Sequence, residues 1–426
     1  MHDRPTEWSR PKRLGFLILA VFLGFSATPI ILALLPWIGD VFPPAYQAAW
    51  NPVVVWLGEH VLGLPAPITI LPNSSGDTTW NYVQMFGIVA LSLILGGTWA
   101  LVDRKRRDYA QLHHWLRVLV RYALSGAMFV YGLVKVLCLQ FPGPSLATLT
   151  QTYGEASPHG LAWTFLGHSS AYSVFAGGAE LVAAVLLLSR RTATLGALTT
   201  LAVMAHVLAI NLCFDVPVKL FSATLLVMAT YVFADDFGRF ADALLRNRPT
   251  APADLRPHFV GKAGRRVHVA LKASWILLYL VGVGMLLNVA RELRDAPKPP
   301  LYGLYEVERF TLDGVVHPPQ LGDALRWRHF IVEAAGPAVV RTMDDQRETF
   351  AITTDVAAHS LTLKSQQDDR EQTHEYTYEQ PTPESLVLRG SHGDARLEIA
   401  LRRLDPNDFL LLRRGFHWVN EHPFNR

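Results

Sequence analysis

Seven stretches of this chain are long and apolar enough to cross a lipid bilayer, and they restrict its fold more than any other feature. A hydrocarbon core about 30 Å thick needs roughly 17–25 mostly apolar residues per helix. Residues 14–38, 82–102, 116–139, 171–188, 192–214, 216–234 and 267–289 meet that need. The first exceeds a signal-peptide core of roughly 7–15 residues and has no small-x-small cleavage site behind it, so it is expected to stay in the protein. Beyond residue 299 no such stretch occurs, and the charge balance reverses. Residues 1–299 hold 25 Lys/Arg against 16 Asp/Glu, whereas residues 300–426 hold 14 against 20. A membrane part and a soluble part are therefore joined near Pro297. With 50% hydrophobic and 18% charged residues, a disordered chain is excluded, and two cysteines cannot form a disulfide framework.

Charges between the spans set an expected orientation. Arg4, Arg10, Lys12 and Arg13 precede the first span, and Asp103-Arg-Lys-Arg-Arg107 follows the second. Arg190 and Arg191 separate the fourth and fifth. Arg239, Arg246, Arg248, Arg256, Lys262, Arg265 and Arg266 separate the sixth and seventh. The alternate loops, 39–81 and 140–170, contain no Lys or Arg. Because Lys and Arg are retained on the cytoplasmic side, a multi-pass protein of the bacterial inner membrane is expected. Its N-terminus would be cytoplasmic and its C-terminal domain periplasmic. Four regions follow: a two-span hairpin with its outer loop (1–116), a four-helix unit (117–245), a cytoplasmic loop with the seventh span and linker (246–299), and an exterior domain (300–426). In the outer loops, Asn51-Pro52 reads as the N-cap and first residue of a short interfacial helix, and Ser157-Pro158 opens another. Either can equally be a plain cover for the bundle.

After the stiff Pro297-Lys-Pro-Pro300 linker, short runs of partial period two recur between turn signals. They lie at 304–310, 328–332, 360–364, 374–378, 385–388, 395–401 and 409–412, with breaks such as Asp313-Gly314, Gly336-Pro337 and His392-Gly-Asp394. About eight strands without a helix predict an antiparallel meander. Closure into a lipocalin-like barrel removes its edges, and a flat sandwich is the second choice. Such a barrel either holds a small ligand or is filled by side chains. The tail from Phe416 to Arg426 reads as a docking segment. His417 and His422 lack a third ligand nearby, so no metal site is expected.

Ionisable groups inside a bilayer usually face the bundle and have a partner. The first two spans carry none between their ends, but the next four do. Lys135, Glu180, His206, Asn211, Asp215 and Lys219 all fall in the outer half of the four-helix unit. Pairing Lys135 with Glu180 would resolve the desolvation of both. Asp215 reads as the N-cap of the sixth span, with Pro217 in its first turn. His206 alone reads more simply as a hydrogen-bonded interior histidine than as a ligand. Cys138 and Cys213 occupy the same layer, where they are either a redox pair or inert packing. No phosphate loop, CxxC, HExxH or nucleophile elbow is present, and topology accounts for the basic loops without nucleic acid.

The four-helix unit resembles the DoxX family. The likeness is carried by Tyr131-Gly-Leu-Val-Lys135, Gln140-Phe-Pro142, Tyr153-Gly154, Ser157-Pro-His-Gly-Leu-Ala-Trp163 and Phe175-Ala-Gly-Gly-Ala-Glu180. Arg190-Arg-Thr192, Thr194-Leu-Gly196 and Asn211-Leu-Cys-Phe-Asp-Val-Pro-Val-Lys219 extend it, so that it covers about residues 117–245. The resemblance implies a membrane four-helix bundle. In some members it serves as a subunit of thiosulfate:quinone oxidoreductase, and in others it is linked to thiol or oxidative stress. The family's recurrent polar positions fall on Lys135, Glu180, Asn211, Asp215 and Lys219. Spans followed by an exterior β domain also occur in vitamin K-dependent carboxylase relatives, at the level of architecture alone. Two functions are expected from this reading. One is a quinone- or thiol-linked redox protein, possessing a quinone site and a redox or membrane-protein partner, in which Cys138 and Cys213 act as catalytic thiols and the other polar residues bind ligand. The other is a non-enzymatic, membrane-anchored protein that binds a lipid or small molecule or assists assembly.

Overall fold

A spanning segment must satisfy its own backbone polar groups, since hydrocarbon offers no partners, and the helix does so locally. The computed structural model describes residues 7–70, 75–250, 252, 261–366 and 373–425. Arg4 and Arg256, used in the orientation argument, and the terminal Arg426 lie outside these residues. The helices are α1 (Arg10–Leu34), α2 (Ile38–His60), α3 (Thr79–Val102), α4 (Ala110–Val136), α5 (Leu146–Thr150), α6 (Pro158–His168), α7 (Ser170–Leu188), α8 (Ala193–Cys213), α9 (Lys219–Ala234), α10 (Phe237–Phe240) and α11 (Gly261–Asp295). Among the described residues α1, α3, α4, α7, α8 and α11 are each long and apolar enough to cross a membrane. A seventh span arises if α9 is taken together with residues 237–245, from which it is bent by 73°. The protein is thus a multi-pass membrane protein.

The segment around Asn51-Pro52 differs from expectation. It does not open a short helix but lies inside α2, which runs through Pro43, Pro44 and Pro52. Proline already has a helical φ and forfeits one hydrogen bond, and tertiary packing outweighs that loss here. Trp50 and Val54 are buried in a cluster with Ile68, Trp80, Val83 and Ile88. Asn51, instead of capping, accepts a hydrogen bond from Trp80 Nε1 at 3.3 Å.

Contacts divide the chain into two units. One comprises the residues up to Pro142 together with Pro158–Arg291; the other comprises Gly143–Ser157 and the residues from Glu292 onward. The second unit contains β1 (Gly303–Leu312), β2 (Val315–His317), β3 (Trp327–Val332), β4 (Pro337–Thr342), β5 (Arg347–Asp355), β6 (Ser360–Ser365), β7 (Thr373–Thr382), β8 (Ser385–His392), β9 (Ala395–Leu404) and α12 (Leu410–Arg413). All neighbours are antiparallel. β9 returns to β1 from Leu312↔Leu397 to Leu304↔Leu404, so β1 and β3 to β9 close an eight-stranded barrel, and β2 is a short flap on β1. Closure excludes the flat sandwich. It also explains why residues 409–412, expected as a strand, turn into α12: the ring has no free edge left to extend.

The barrel interior is a single packed cluster in which Tyr305, Phe310, Phe330, Phe350, Tyr376 and Tyr378 supply the bulk. Part of its outer wall is also covered. Ile331 and Val339, facing outward on β3 and β4, bury against Leu146 and Ala147 of α5. Glu333 accepts from the amides of Leu146 and Ala147 at 3.3 and 2.8 Å, satisfying the exposed start of that helix. Arg341 completes the clasp with two hydrogen bonds to Glu155, at 3.1 and 3.0 Å, and another to the carbonyl of Thr150.

His329 sits on that covered wall, opposite Arg341 in the β3–β4 register. Its Nδ1 is buried without a hydrogen-bond partner. Desolvation, with Arg328 and Arg341 nearby and only Asp345 opposing, lowers its pKa to about 4. Between the ordinary pKa of about 6.5 and about 4 the unfolded chain binds more protons than the folded one, so stability falls as the pH drops through that window. We predict that the wild type loses roughly 2 kcal/mol relative to His329→Leu between pH 7.5 and pH 5. Unfolding of the detergent-solubilised proteins at both pH values checks this, and parallel behaviour of the two would refute it.

Candidate functional site

Two glycines bring the key helices together. A Cβ added to Gly132 of α4 would lie 2.8 Å from the Gly177 carbonyl oxygen, and one added to Gly177 of α7 would lie 2.5 Å from that of Gly132. The two backbones therefore touch, in the manner of small-residue contacts between membrane helices. Gly132 also abuts Leu181 while Gly177 abuts Val136, so α4 and α7 run antiparallel. Ser125 Oγ, donating to the Ala184 carbonyl at 2.7 Å, continues the same register.

Residues three apart on a helix share a face, so Lys135 and Glu180 each follow their glycine onto the contact. Lys135 Nζ donates to Glu180 Oε1 at 2.5 Å, with both side chains buried. The sequence-stated pairing is thus what the fold makes. Glu180 Oε2 and Gln140 Oε1 are buried without a hydrogen-bond partner. Both belong to the wall of a cavity of about 370 Å³. Its lining comes from α4, α6, α7, α8, α9 and residues 140–141, and it is mostly apolar: Met128, Phe141, Trp163, Phe175, Val207, Phe221 and Leu225 surround the polar groups. A volume of that order suits a small ligand or the head group of a larger one.

The other expected residues divide in two. His206 and Asn211 line the cavity alongside Lys135 and Glu180. Asn211 is buried and donates to Ser222 Oγ at 3.0 Å, tying α8 to α9. Asp215 and Lys219 do not line it. They pair with each other at 2.8 Å, which holds the exposed Asp215 carboxyl below its ordinary range. Asp215 is not the cap of the sixth span either. It has φ +52° and precedes the helix, whose first amides, Lys219 and Leu220, donate to Asp77 at 2.6 and 3.0 Å. Asp77 comes from the loop before α3, and no local pattern announces so distant a cap.

Cys138 and Cys213 are both free thiols, and neither borders the cavity. Cys138 ends α4 in a left-handed conformation, φ +54°, its amide donating to the Lys135 carbonyl at 2.9 Å. Cys213 is the exposed last residue of α8. Among the described residues no three His, Cys, Asp or Glu side chains gather into a metal-binding group. Sequence reasoning missed Gln140 and Ser222 as parts of the site. Gln140 stands immediately outside the apolar run, where it reads as a loop residue.

These features define a polytopic membrane protein with a closed β-barrel and, within its helical unit, a cavity beside a buried ion pair. No protein-family model matches the chain, and no solved structure matches it. The Bacillus subtilis (strain 168) protein YwoB, described as uncharacterized, is 38% identical over 129 residues, which are 30% of this chain and 81% of YwoB. Over that part the chain belongs to the same family as YwoB.

Breaking a buried pair leaves an uncompensated charge, whereas replacing both partners with apolar groups is often neutral. Lys135→Met and Glu180→Leu should each cost about 3–5 kcal/mol, and the double variant should recover most of that loss in a double-mutant cycle of unfolding in detergent. Gly177→Ala, which must separate α4 from α7, should cost about 1–3 kcal/mol by the same measurement. If all four variants melt together with the wild type, the pair and the glycine contact do not organise the bundle.

Proposed function

We propose that this is a DoxX-like integral protein of the bacterial inner membrane that binds a quinone-class molecule beside Lys135 and Glu180 and takes part in quinone- or thiol-linked redox chemistry. The N-terminus is cytoplasmic and the barrel periplasmic in this reading, which the unbroken absence of Lys and Arg from loops 39–81 and 140–170 supports. The observation that carries it is the cavity itself: apolar walls of ring-binding size around an ion pair with one carboxylate oxygen left over. A quinone supplies two-electron, two-proton exchange in the lipid phase. Lys135 has ammonium protons to offer a ring oxygen, Glu180 Oε2 is placed to hold or pass a proton, and Trp163 and Phe221 supply flat apolar walls. Cys138 and Cys213 have no part in this site. A thiol-linked reaction would draw its thiol from a redox or membrane-protein partner.

The second reading is a non-enzymatic protein that binds a lipid or small molecule or assists assembly. The apolar lining of the same cavity favours it, but the packed barrel interior moves any such ligand out of the barrel and into the bundle.

Mass spectrometry of the organic extract of the purified, detergent-solubilised protein separates the two. Stoichiometric quinone is expected. It should be lost from Lys135→Met and retained by the Cys138→Ser/Cys213→Ser double variant. A phospholipid, fatty acid or isoprenoid in place of quinone would establish the second reading.

A further inference from the structure

Two residues that line the cavity each carry a buried oxygen for which the described residues supply no donor. Glu180 is almost wholly buried, Lys135 serves only its Oε1, and Oε2 is left over. Gln140 presents a second buried acceptor without a partner. Buried polar groups in folded proteins are nearly always satisfied, and each exception requires an explanation. A head group that only accepts hydrogen bonds, such as a quinone carbonyl, could be served by Lys135 but would leave both oxygens orphaned. A hydroxyl both donates and accepts, so it suits the ammonium and the two acceptors together.

The route to these groups is equally specific. At the turn that joins α7 to α8 the helices are tight, a Cβ on Gly196 lying 2.8 Å from the Leu187 amide nitrogen. Away from that turn, lining residues on both helices are open: Phe175 is 73% exposed, and Ala202 and His206 are exposed as well. These residues belong to spans, so what surrounds them is hydrocarbon.

We propose that the cavity takes a lipid-soluble amphiphile in the hydrogen-bond-donating form of its head group, a phenol or hydroquinone in preference to a quinone. Glu180 Oε2 and Gln140 Oε1 are its acceptors, and the gap between α7 and α8 is its way in. This deepens the proposed function and rests on the cavity being the ligand site.

The test uses the full chain in phosphatidylcholine nanodiscs under anaerobic conditions with three probes: decyl trimethylbenzoquinone, its hydroquinone and the dimethyl ether of that hydroquinone. Calorimetric titration should show the hydroquinone binding at least tenfold more tightly than the other two. Gln140→Leu and Glu180→Gln should each shrink that preference at least threefold. Gln140→Leu removes an acceptor outside the helices, and so keeps the test decisive if the Glu180 variant fails to fold. Ala202→Trp, which narrows the gap without touching either acceptor, should slow association and dissociation of the hydroquinone at least tenfold in stopped-flow binding. Equal or tighter binding of the quinone overturns the preference and leaves the proposed function standing. An unchanged preference in both acceptor variants overturns the assigned acceptors, and unchanged association and dissociation rates in Ala202→Trp overturn the route. If none of the three probes binds, the cavity is not a site for this class and the proposed function falls with the inference.

Discussion

The contact between the ammonium of Lys135 and the carboxylate of Glu180 is the constraint to which the rest of the helical unit answers. Either group alone in the bilayer would cost at least about 2.5–3.5 kcal/mol on insertion scales. Their union removes most of that penalty but adds little stability, since a buried ion pair roughly breaks even against apolar residues of similar size. The pair therefore does not exist to hold α4 and α7 together. Gly132 and Gly177 do that, by letting the backbones touch. What the pair adds over an apolar substitute is chemical: a charged, hydrogen-bonding surface held rigidly at the edge of a cavity.

The barrel unit follows a different logic. Its barrel closes on itself around a buried apolar cluster, with Trp327 and Tyr376 meeting across it from opposite strands at 5.9 Å between ring centres. Its distinctive feature is on the outside, where Glu333 and Arg341 hold the segment Gly143–Ser157 against β3 and β4. Those two residues satisfy the first amides and the last carbonyl of α5, and Ile331 and Val339 add apolar burial beneath them. The cost is local: His329 is half-buried beside Arg328 and Arg341, and desolvation with those charges lowers its pKa.

Much of this was legible in the sequence, for identifiable reasons. Length and hydropathy fixed the spans, because the bilayer imposes a single scale on every one of them. Alternation and turn residues gave the barrel, and the rarity of intramembrane charge made Lys135 and Glu180 each other's natural partner. The failures lie where distant chain segments meet. Asp77 caps α9 from across the bundle, and Asn51 bonds Trp80 where a cap was expected. Gln140 enters the cavity wall from outside a span. The glycine contact had a signal in the parallel patterns Gly132-Leu-Val-Lys135 and Gly177-Gly-Ala-Glu180, which place a charge three residues after a small residue on both helices. The cysteines illustrate the opposite error. Similar depth along two helices says nothing about rotation, and rotation put Cys138 into a helix-ending turn and left Cys213 on the surface.

The barrel and the helical bundle differ in how completely side chains fill them. Filling a cavity with side chains is the ordinary outcome of folding, since each void forfeits dispersion contacts. The barrel obeys that rule. The bundle does not, even though it has bulky residues such as Met128, Trp163 and Phe221 that could close inward. Volume is left beside two acceptors that none of the described residues serves, so the same few side chains bear both an unfilled void and unmet hydrogen bonds. Either defect alone could be tolerated as imperfect packing. Their coincidence at a buried ion pair is the observation on which the proposal of a ligand site rests.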